Sequence, residues 1–308
     1  MIDSFEEFTL NSVEELFETI NPVNLSHKGI DMNDYIFRGE GSLSYKLIPS
    51  ACRENNRKIL EDISKYRIVN PNYRLDKHVT YTRELRVLRD FYINTDIQGL
   101  KIPEINIWRD GIVNKLSDPF HLDIETGKRE WMVPELYEVA ALAQHYGLPT
   151  RLLDWSYNIY TALFFAANGA LNYYSSTDYF TLYFLNQSRI SSMQGYHDKN
   201  LELIRPIYSG NENLKAQEGL FTVRKLISPE DDQIPLDAYL QNYPGNFSLG
   251  NLILKFTIPH PECLLTLKAL DGLGVNEMKL FPGFEGVVKY QKRISQDFST
   301  NERIRLSF

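Results

Sequence analysis

Cysteine is scarce in this chain. Cys52 and Cys263 are the only two, far apart, so the sequence offers neither a disulfide framework nor a paired metal motif. A reducing cytosol is the natural setting. The histidines (His27, His78, His121, His145, His197 and His260) are scattered and never form H-x-x-x-H, so no metal site is expected. An excess of positive charge is missing as well. The net charge of −7 gives no overall signal for nucleic acid, although a local basic groove fits inside an acidic total. No apolar run reaches the roughly 18 residues that mark a membrane span. The longest candidate, Ile159–Ala170, is interrupted by Asn168 and Gly169. Met1–Ile20 carries Asp3, Glu6, Glu7, Glu14, Glu15 and Glu18, where a signal peptide would show a basic end and an apolar run. A cytoplasmic protein without membrane attachment is therefore expected.

The glycine-based nucleotide motifs are absent too. There is no G-x-x-x-x-G-K-[ST]. Gly39-Glu40-Gly41 is only G-x-G and lacks the third glycine of a dinucleotide fingerprint. No G-x-S-x-G marks a nucleophile elbow. Repeats, heptads and low-complexity tracts are missing, and no linker divides the 308 residues firmly. What remains is Arg, Tyr, Ser, Gln and carboxylates. That set suits binding an anion and stabilising a cationic transition state without a covalent nucleophile.

Aromatic residues are plentiful, with 19 Tyr and 17 Phe, serving either as stacking surfaces or as a Tyr-rich core and rim. The densest chemistry lies in Gln144–Ser156. A helix should end at Tyr146, because Gly147 suits the C′ position and Pro149 cannot continue it. Arg151–Trp155 then reads as a short buried strand. A second helix over Tyr157–Tyr173 follows, with Ser156 as its expected N-cap. Helix end, strand and helix start meet there, and backbone N–H groups beside an Arg make a site for a phosphate-bearing ligand.

Upstream, Ser12-Val13-Glu14-Glu15 has the capping-box pattern of a helix to Ile20, stopped by Pro22. Tyr35-Ile36-Phe37-Arg38 reads as a strand breaking at Gly39. Arg38 either meets a ligand, with Gly39 letting it approach the backbone, or pairs with Glu40 in solvent. Lys58–Arg67 and Val79–Asn94 read as helices, with Arg83, Arg86 and Arg89 on a solvated face. Leu100–Arg129 is irregular and is the candidate insertion or lid. It contains Trp108, which reads as a small satellite core or a contact surface. Pro134 opens a helix with the apolar stripe Leu136, Val139, Ala140 and Ala143. Asp178–Leu185 reads as a central strand. Further extended segments are expected at Asn200–Tyr208 and Leu220–Lys225, with an acidic surface loop at Ser228–Gln233. Leu252–Ile258 alternates like a half-exposed strand. A helix runs to Leu270, and a last one spans about Phe284–Phe298.

Four motifs in order carry a family resemblance. Tyr35-Ile36-Phe37-Arg38-Gly39 resembles the motif that names the FRG domain family. Ala143–Ser156, followed by Ala162-Leu163-Phe164-Phe165-Ala166, is similar to its longest motif. Gln217-Glu218-Gly219-Leu220-Phe221-Thr222 and Leu280-Phe281-Pro282-Gly283-Phe284-Glu285-Gly286 resemble its later signatures. The resemblance spans about Tyr35 to Ile294. Ser156 stands where the family commonly has Thr, and no Pro follows before Ala162. The expected architecture is a single α+β FRG domain over 1–308. Its core lies at about 35–294, with a split, mostly antiparallel sheet of ADP-ribosyltransferase-like type and a helical insertion at about 55–135.

FRG proteins look like distant relatives of ADP-ribosyltransferases, common in toxin–antitoxin and antiphage loci. The resemblance implies an NAD-dependent transferase-like toxin acting on RNA, protein or DNA in phage defence, with an antitoxin or chaperone as partner. NAD is then the substrate. Arg38, Ser156 and Glu285 take the catalytic places. Arg38, Gly39, His145, Tyr146, Arg151, Asp154, Trp155 and Gln217 are the expected NAD contacts. Arg38 would grip the pyrophosphate as a fork. Glu285 would stabilise an oxocarbenium-like centre and bond the ribose 2′-OH, kept ionised by a helix N-terminus. Tyr146 or Trp155 would stack on nicotinamide. Each has a plainer role in view: Asp154 as partner of Arg151 or Arg38, Trp155 as core, His145 or Gln217 as a cap, Glu285 as a first-turn carboxylate. The alternative to an enzyme is a catalytically silent module that senses a nucleotide or binds a protein.

Overall fold

Tyr35-Ile36-Phe37-Arg38-Gly39-Glu40 forms a strand whose aromatic and β-branched residues alternate between two buried layers. It is the middle strand of the sheet. The computed structural model describes residues 5–66, 77–106, 128–194, 200–241 and 252–305, together with Arg109, Ile124 and Thr126. Within it the strands are β1 (Phe5–Thr9), β2 (Tyr35–Glu40), β3 (Leu152–Ser156), β4 (Tyr179–Asn186), β5 (Leu201–Ile204), β6 (Gly219–Arg224) and β7 (Ile253–Pro259). Their order across the sheet is β1-β7-β4-β2-β3-β6-β5. Every neighbouring pair is antiparallel except β1 with β7.

The helices are α1 (Val13–Thr19), α2 (Pro22–His27), α3 (Glu54–Ser64), α4 (Lys77–Ile97), α5 (Tyr137–His145), α6 (Ile159–Asn172), α7 (Gln187–Gln194), α8 (Glu212–Ala216), α9 (Leu236–Gln241), α10 (Cys263–Gly272), α11 (Glu277–Leu280) and α12 (Phe284–Arg305). Among the described residues, none is long and apolar enough to cross a membrane.

The sheet is continuous on each side of β2 and nearly parted beside it. β2 and β4 are in register from Tyr35↔Asn186 to Glu40↔Thr181, and β3 and β6 from Leu152↔Val223 to Ser156↔Gly219. β2 and β3 share a single pair, Phe37↔Ser156. The strands separate from that bridge, and the site forms along the gap.

Apolar layers hold both wings. On one face, Phe37, Phe180, Leu182, Phe184 and Phe256 pack against α6 and α10. Phe37 and Phe184 meet edge to face at 4.8 Å. Burying each such ring stabilises the fold by about 1.5–3 kcal/mol. On the other face, Ile36, Leu153, Trp155, Tyr183 and Leu185 pack with Leu236 and Leu240 of α9. The second wing buries Phe221 and Val223 against Leu136 and Val139, with Leu85 and Leu88 of α4.

Gly39 and Gly41 set the distance between β2 and α6. A Cβ on Gly39 would lie 1.9 Å from the Ala162 carbonyl oxygen, and one on Gly41 2.5 Å from the Gly169 carbonyl carbon. Glycine lets helix backbone touch strand backbone here. The close approach at Gly39 is therefore made by α6, while Gly39 also borders the cleft described below.

Several boundaries differ from expectation. β2 runs through Gly39 to Glu40. Pro22 ends α1 and also opens α2, where proline at the first turn loses no hydrogen bond. The N-cap of α6 is Asn158, whose Oδ1 accepts from Tyr160 and Thr161, while Ser156 belongs to β3. β7 lies between β1 and β4, so it is buried on both faces rather than half exposed. Arg83 is buried and pairs with Glu61 at 2.7 Å, whereas Arg86 and Arg89 face solvent. Asp232, in the expected surface loop, is 4% exposed. Trp108 and most of 107–127 lie outside the described residues.

Candidate active site

The motif around Gly147 folds as its local chemistry directs. Tyr146 caps α5, and Gly147 takes φ +90°. Leu148 N–H then closes onto the Ala143 carbonyl at 3.0 Å. This turn reverses the chain into β3. Tyr146 is left 72% exposed at the mouth of the site.

The polar side chains of the motif interlock. Thr150 Oγ1 donates to Gln144 Oε1. Gln144 Nε2 donates to Asp154 Oδ1 at 2.5 Å. Arg38 Nη1 donates to the Asp154 carbonyl at 2.7 Å and lies 3.5 Å from Asp154 Oδ2. Arg38 Nε and Nη2 both reach Glu40 Oε1, at 2.8 and 2.7 Å. Arg38 and Glu40 side chains are only 12% and 9% exposed, so this pair is sheltered rather than solvated. Burial opposes the guanidinium charge, but Glu40 and then Asp154 outweigh it and hold the Arg38 pKa above its ordinary value. The guanidinium fills the place where β2 and β3 part.

A cleft of about 670 Å³ opens there. Arg38, Gly39 and Asp154 form one side, with Thr161, Ala162 and Phe165 of α6 at the floor. His145 and Tyr146 come from the end of α5, Asn213 and Gln217 from around α8, Phe281 and Glu285 from the last signature, and Lys289 from α12 beyond it. Ser156 Oγ donates to the Gln217 carbonyl at 2.7 Å and accepts from Asn158 N–H at 2.9 Å. Gln217 Nε2 reaches the Leu280 carbonyl at 3.1 Å. The Ser156 hydroxyl thus ties β3 to the Gln217 turn and, through it, to α11.

On α12, opposite charges pair within the cleft lining. Lys289 Nζ lies 2.7 Å from Glu285 Oε1 and 3.6 Å from the centre of the Phe281 ring. Hydrogen bonding and charge from Lys289 hold the Glu285 carboxyl below its ordinary pKa, with His145 adding in the same direction. The neighbouring lysine thus favours its ionised form. His145 is pushed below its ordinary pKa by burial, and Glu285 only partly offsets this. Its Nε2 lies 2.9 Å from the Asn213 amide nitrogen, a donor that the neutral ring with its proton on Nδ1 can accept.

Arg38, Ser156 and Glu285, distant in sequence, therefore border one cleft with Gly39, His145, Tyr146, Asp154 and Gln217. Two expected ligand contacts do not present their side chains there. β3 alternates, so Asp154 and Ser156 face away from Leu153 and Trp155. The Trp155 indole is buried on the opposite layer and donates to Thr222 Oγ1 at 3.0 Å. This corrects its reading as a stacking platform. Arg151 is 1% exposed and bound to Glu84 and Asp232, each with a contact of 2.6 Å. Trp131 Nε1 donates to the same Glu84 carboxylate at 2.6 Å. Arg151 therefore neither meets a ligand nor pairs with Asp154. Its two acids come from α4 and from the loop before α9, distances that strand spacing cannot reveal.

Lining residues given no site role from the sequence include Lys289, Phe281, Gln144 and Asn213. Lys289 stands four residues after Glu285, a helical pairing that the spacing could have shown. Phe281 lay inside a quoted motif without a role. Gln144 lay in the central stretch, again without one. Asn213 carries no signal at all. Among the described residues no cluster of three His, Cys, Asp or Glu is poised to hold a metal ion.

Residues 33–174 fit the family model of the FRG domain. That stretch includes Arg38, the Gly147 turn, Asp154 and Ser156, and ends before Gln217 and Glu285. No curated protein and no solved structure matches the chain. The match runs from the first strand of the site through the helix that floors it, so this stretch is similar to the FRG domain family.

Proposed function

We propose that the cleft binds NAD and transfers its ADP-ribose to a macromolecule, as in ADP-ribosyltransferases, the sheet being a variant of theirs. The observation that carries this reading is the convergence of Arg38, Ser156 and Glu285 on one cleft of about 670 Å³. That volume lies within the roughly 300–1,000 Å³ of small-molecule sites. The lining also fits the chemistry. A prealigned Arg38 fork meets the pyrophosphate, which displaces the distant Asp154 carboxylate from it. Tyr146, Phe165 and Phe281 offer ring faces to the bases. Glu285, held ionised by Lys289, supplies negative charge where the C1′–nicotinamide bond breaks and positive charge builds. Ser156 positions the Gln217 turn. The family resemblance extends the proposal to a toxin of phage defence, cytoplasmic and restrained by an antitoxin or chaperone.

One observation favours a silent nucleotide-sensing or protein-binding module. Each chemical group is already engaged: Arg38 by Glu40 and Asp154, Glu285 by Lys289, and Ser156 by Gln217 and Asn158. Incubation with labelled NAD and total RNA, DNA or cell lysate separates the two. Label transfer that disappears in Arg38→Ala and Glu285→Ala supports the transferase. Saturable NAD binding with no transfer and no nicotinamide release would leave the sensing module.

A further inference from the structure

We infer that the acceptor in this transfer is a polypeptide, delivered through a second cleft that shares a wall with the first. The inference rests on the transferase reading above. Behind Arg38, Gln144, Gly147 and Asp154 lies another cavity, of about 390 Å³, and these four residues border both. Its outer wall is α3 with the residue before it. Arg53, Asn56, Ile59 and Ile63 line it there, opposite Leu148 and Pro149 of the Gly147 turn. Ile59 and Ile63 stand four residues apart on one face of α3 and are 43% and 39% exposed. Exposed aliphatic side chains inside a concavity mark a contact surface rather than scattered surface residues.

The lining selects the occupant. Nucleic-acid strands are held by several cations along the backbone and by aromatic platforms for the bases. Among the described residues, no aromatic ring lines this cavity. Beyond Arg38, which is tied to Glu40 and Asp154, Arg53 is the one cation among the described residues that line it. Arg53 gives only its Nε to the Ile48 carbonyl, at 3.0 Å, and the side chain remains exposed. Aliphatic walls with a guanidinium at one end fit a peptide segment that places an apolar residue near an acidic one. The net charge of −7 also disfavours a polyanion.

Asp154 stands at the shared wall. Its side chain is 60% exposed, and Gln144 fixes Oδ1 at 2.5 Å. In the transfer, the C1′–N bond breaks and nicotinamide leaves with the electron pair. A lone pair of the acceptor hydroxyl oxygen forms the new C1′–O bond, and the hydroxyl proton passes to Asp154. No further reactant is required.

The test uses the full chain, labelled NAD and two probes, a nuclease-treated bacterial protein extract and protein-free total RNA. Nicotinamide release in buffer alone is followed beside them. Arg53→Glu and Ile63→Arg alter only the outer wall, and both positions are exposed, so thermal melting should show folded variants. The expected result is label in protein and none in RNA. Both variants should cut protein labelling by about ten-fold or more, while nicotinamide release in buffer stays within about two-fold of the unaltered chain. Label entering RNA, unchanged protein labelling by folded variants, or parallel loss of both activities would overturn the inference while leaving the transferase reading standing. An unaltered chain that releases no nicotinamide and labels nothing would overturn both.

Discussion

Arg38 and Asp154, 116 positions apart, are joined across the gap between β2 and β3, where Arg38 Nη1 donates to the Asp154 carbonyl at 2.7 Å. The sheet ladder stops at the Phe37↔Ser156 pair, and a side-chain hydrogen bond takes over. The arginine therefore serves both wings. Replacing it should have two separable effects.

Arg38→Ala should destabilise the chain by about 3 kcal/mol, because the sheltered Glu40 carboxylate loses its partner. Arg38→Lys keeps the charge but cannot reach Glu40 and Asp154 together, so it should recover part of the stability and little of the ligand affinity. Denaturant unfolding and NAD titration of both variants check this. Equal NAD affinity in the Lys variant and the unaltered chain would show that the fork geometry is not used.

The two kinds of glycine in the site should answer differently to alanine. At Gly39 the new Cβ would meet the backbone of α6 at 1.9 Å, so Gly39→Ala should lose cooperative unfolding altogether. At Gly147 the strain is conformational, with open space around it and φ +90°. Gly147→Ala should cost about 1–2 kcal/mol and leave the protein folded. Calorimetry on the pair decides; a well-folded Gly39→Ala would mean that β2 and α6 can separate.

Arg151 should matter for stability and not for the ligand. Removing it leaves Glu84 and Asp232 buried without a counter-charge, at a cost of about 3–5 kcal/mol. Changing all three together, Arg151→Met with Glu84→Gln and Asp232→Asn, should recover most of that loss, since the Trp131 donor keeps an acceptor. Thermal melts of the single and triple variants read this out. A triple variant no more stable than Arg151→Met would mean that the cluster acts by something other than charge balance.

The pH dependence follows from His145. Burial lowers its folded pKa below the ordinary histidine value, so the unfolded chain takes up the proton first as pH falls. The contribution of the neutral ring is complete above about pH 6.5 and is lost as pH falls through the lowered folded value. Protonation also removes the acceptor that Asn213 uses. His145→Asn should flatten this part of the stability curve, followed by melting between about pH 5 and pH 7.5. An unchanged slope in the variant would assign the dependence to another group.

How legible the site was depends on the range of each interaction. The end of α5 and the turn at Gly147 could be read directly, because capping is decided within five residues. The mostly antiparallel order of the sheet agrees with the expected architecture. Ser156 was assigned to the wrong cap because Asn158, two residues later, competes for the same role with an equally suitable side chain. Arg151 was misjudged because its partners Glu84 and Asp232 lie 67 and 81 positions away. β1 went unread because Phe5-Glu6-Glu7-Phe8-Thr9 is short, acidic and half exposed, and only its pairing with β7 makes it a strand.

Nicotinamide release from NAD, followed for the unaltered chain, Arg38→Ala and Glu285→Ala, tests the central reading most directly. Arg38→Ala should be compared at a temperature where melting shows it folded. The account predicts measurable release that falls by about 10²–10³ in each variant, the usual effect of removing one contact that stabilises developing charge. Release from the unaltered chain that persists undiminished in both folded variants, or no release at all with NAD bound, would contradict it.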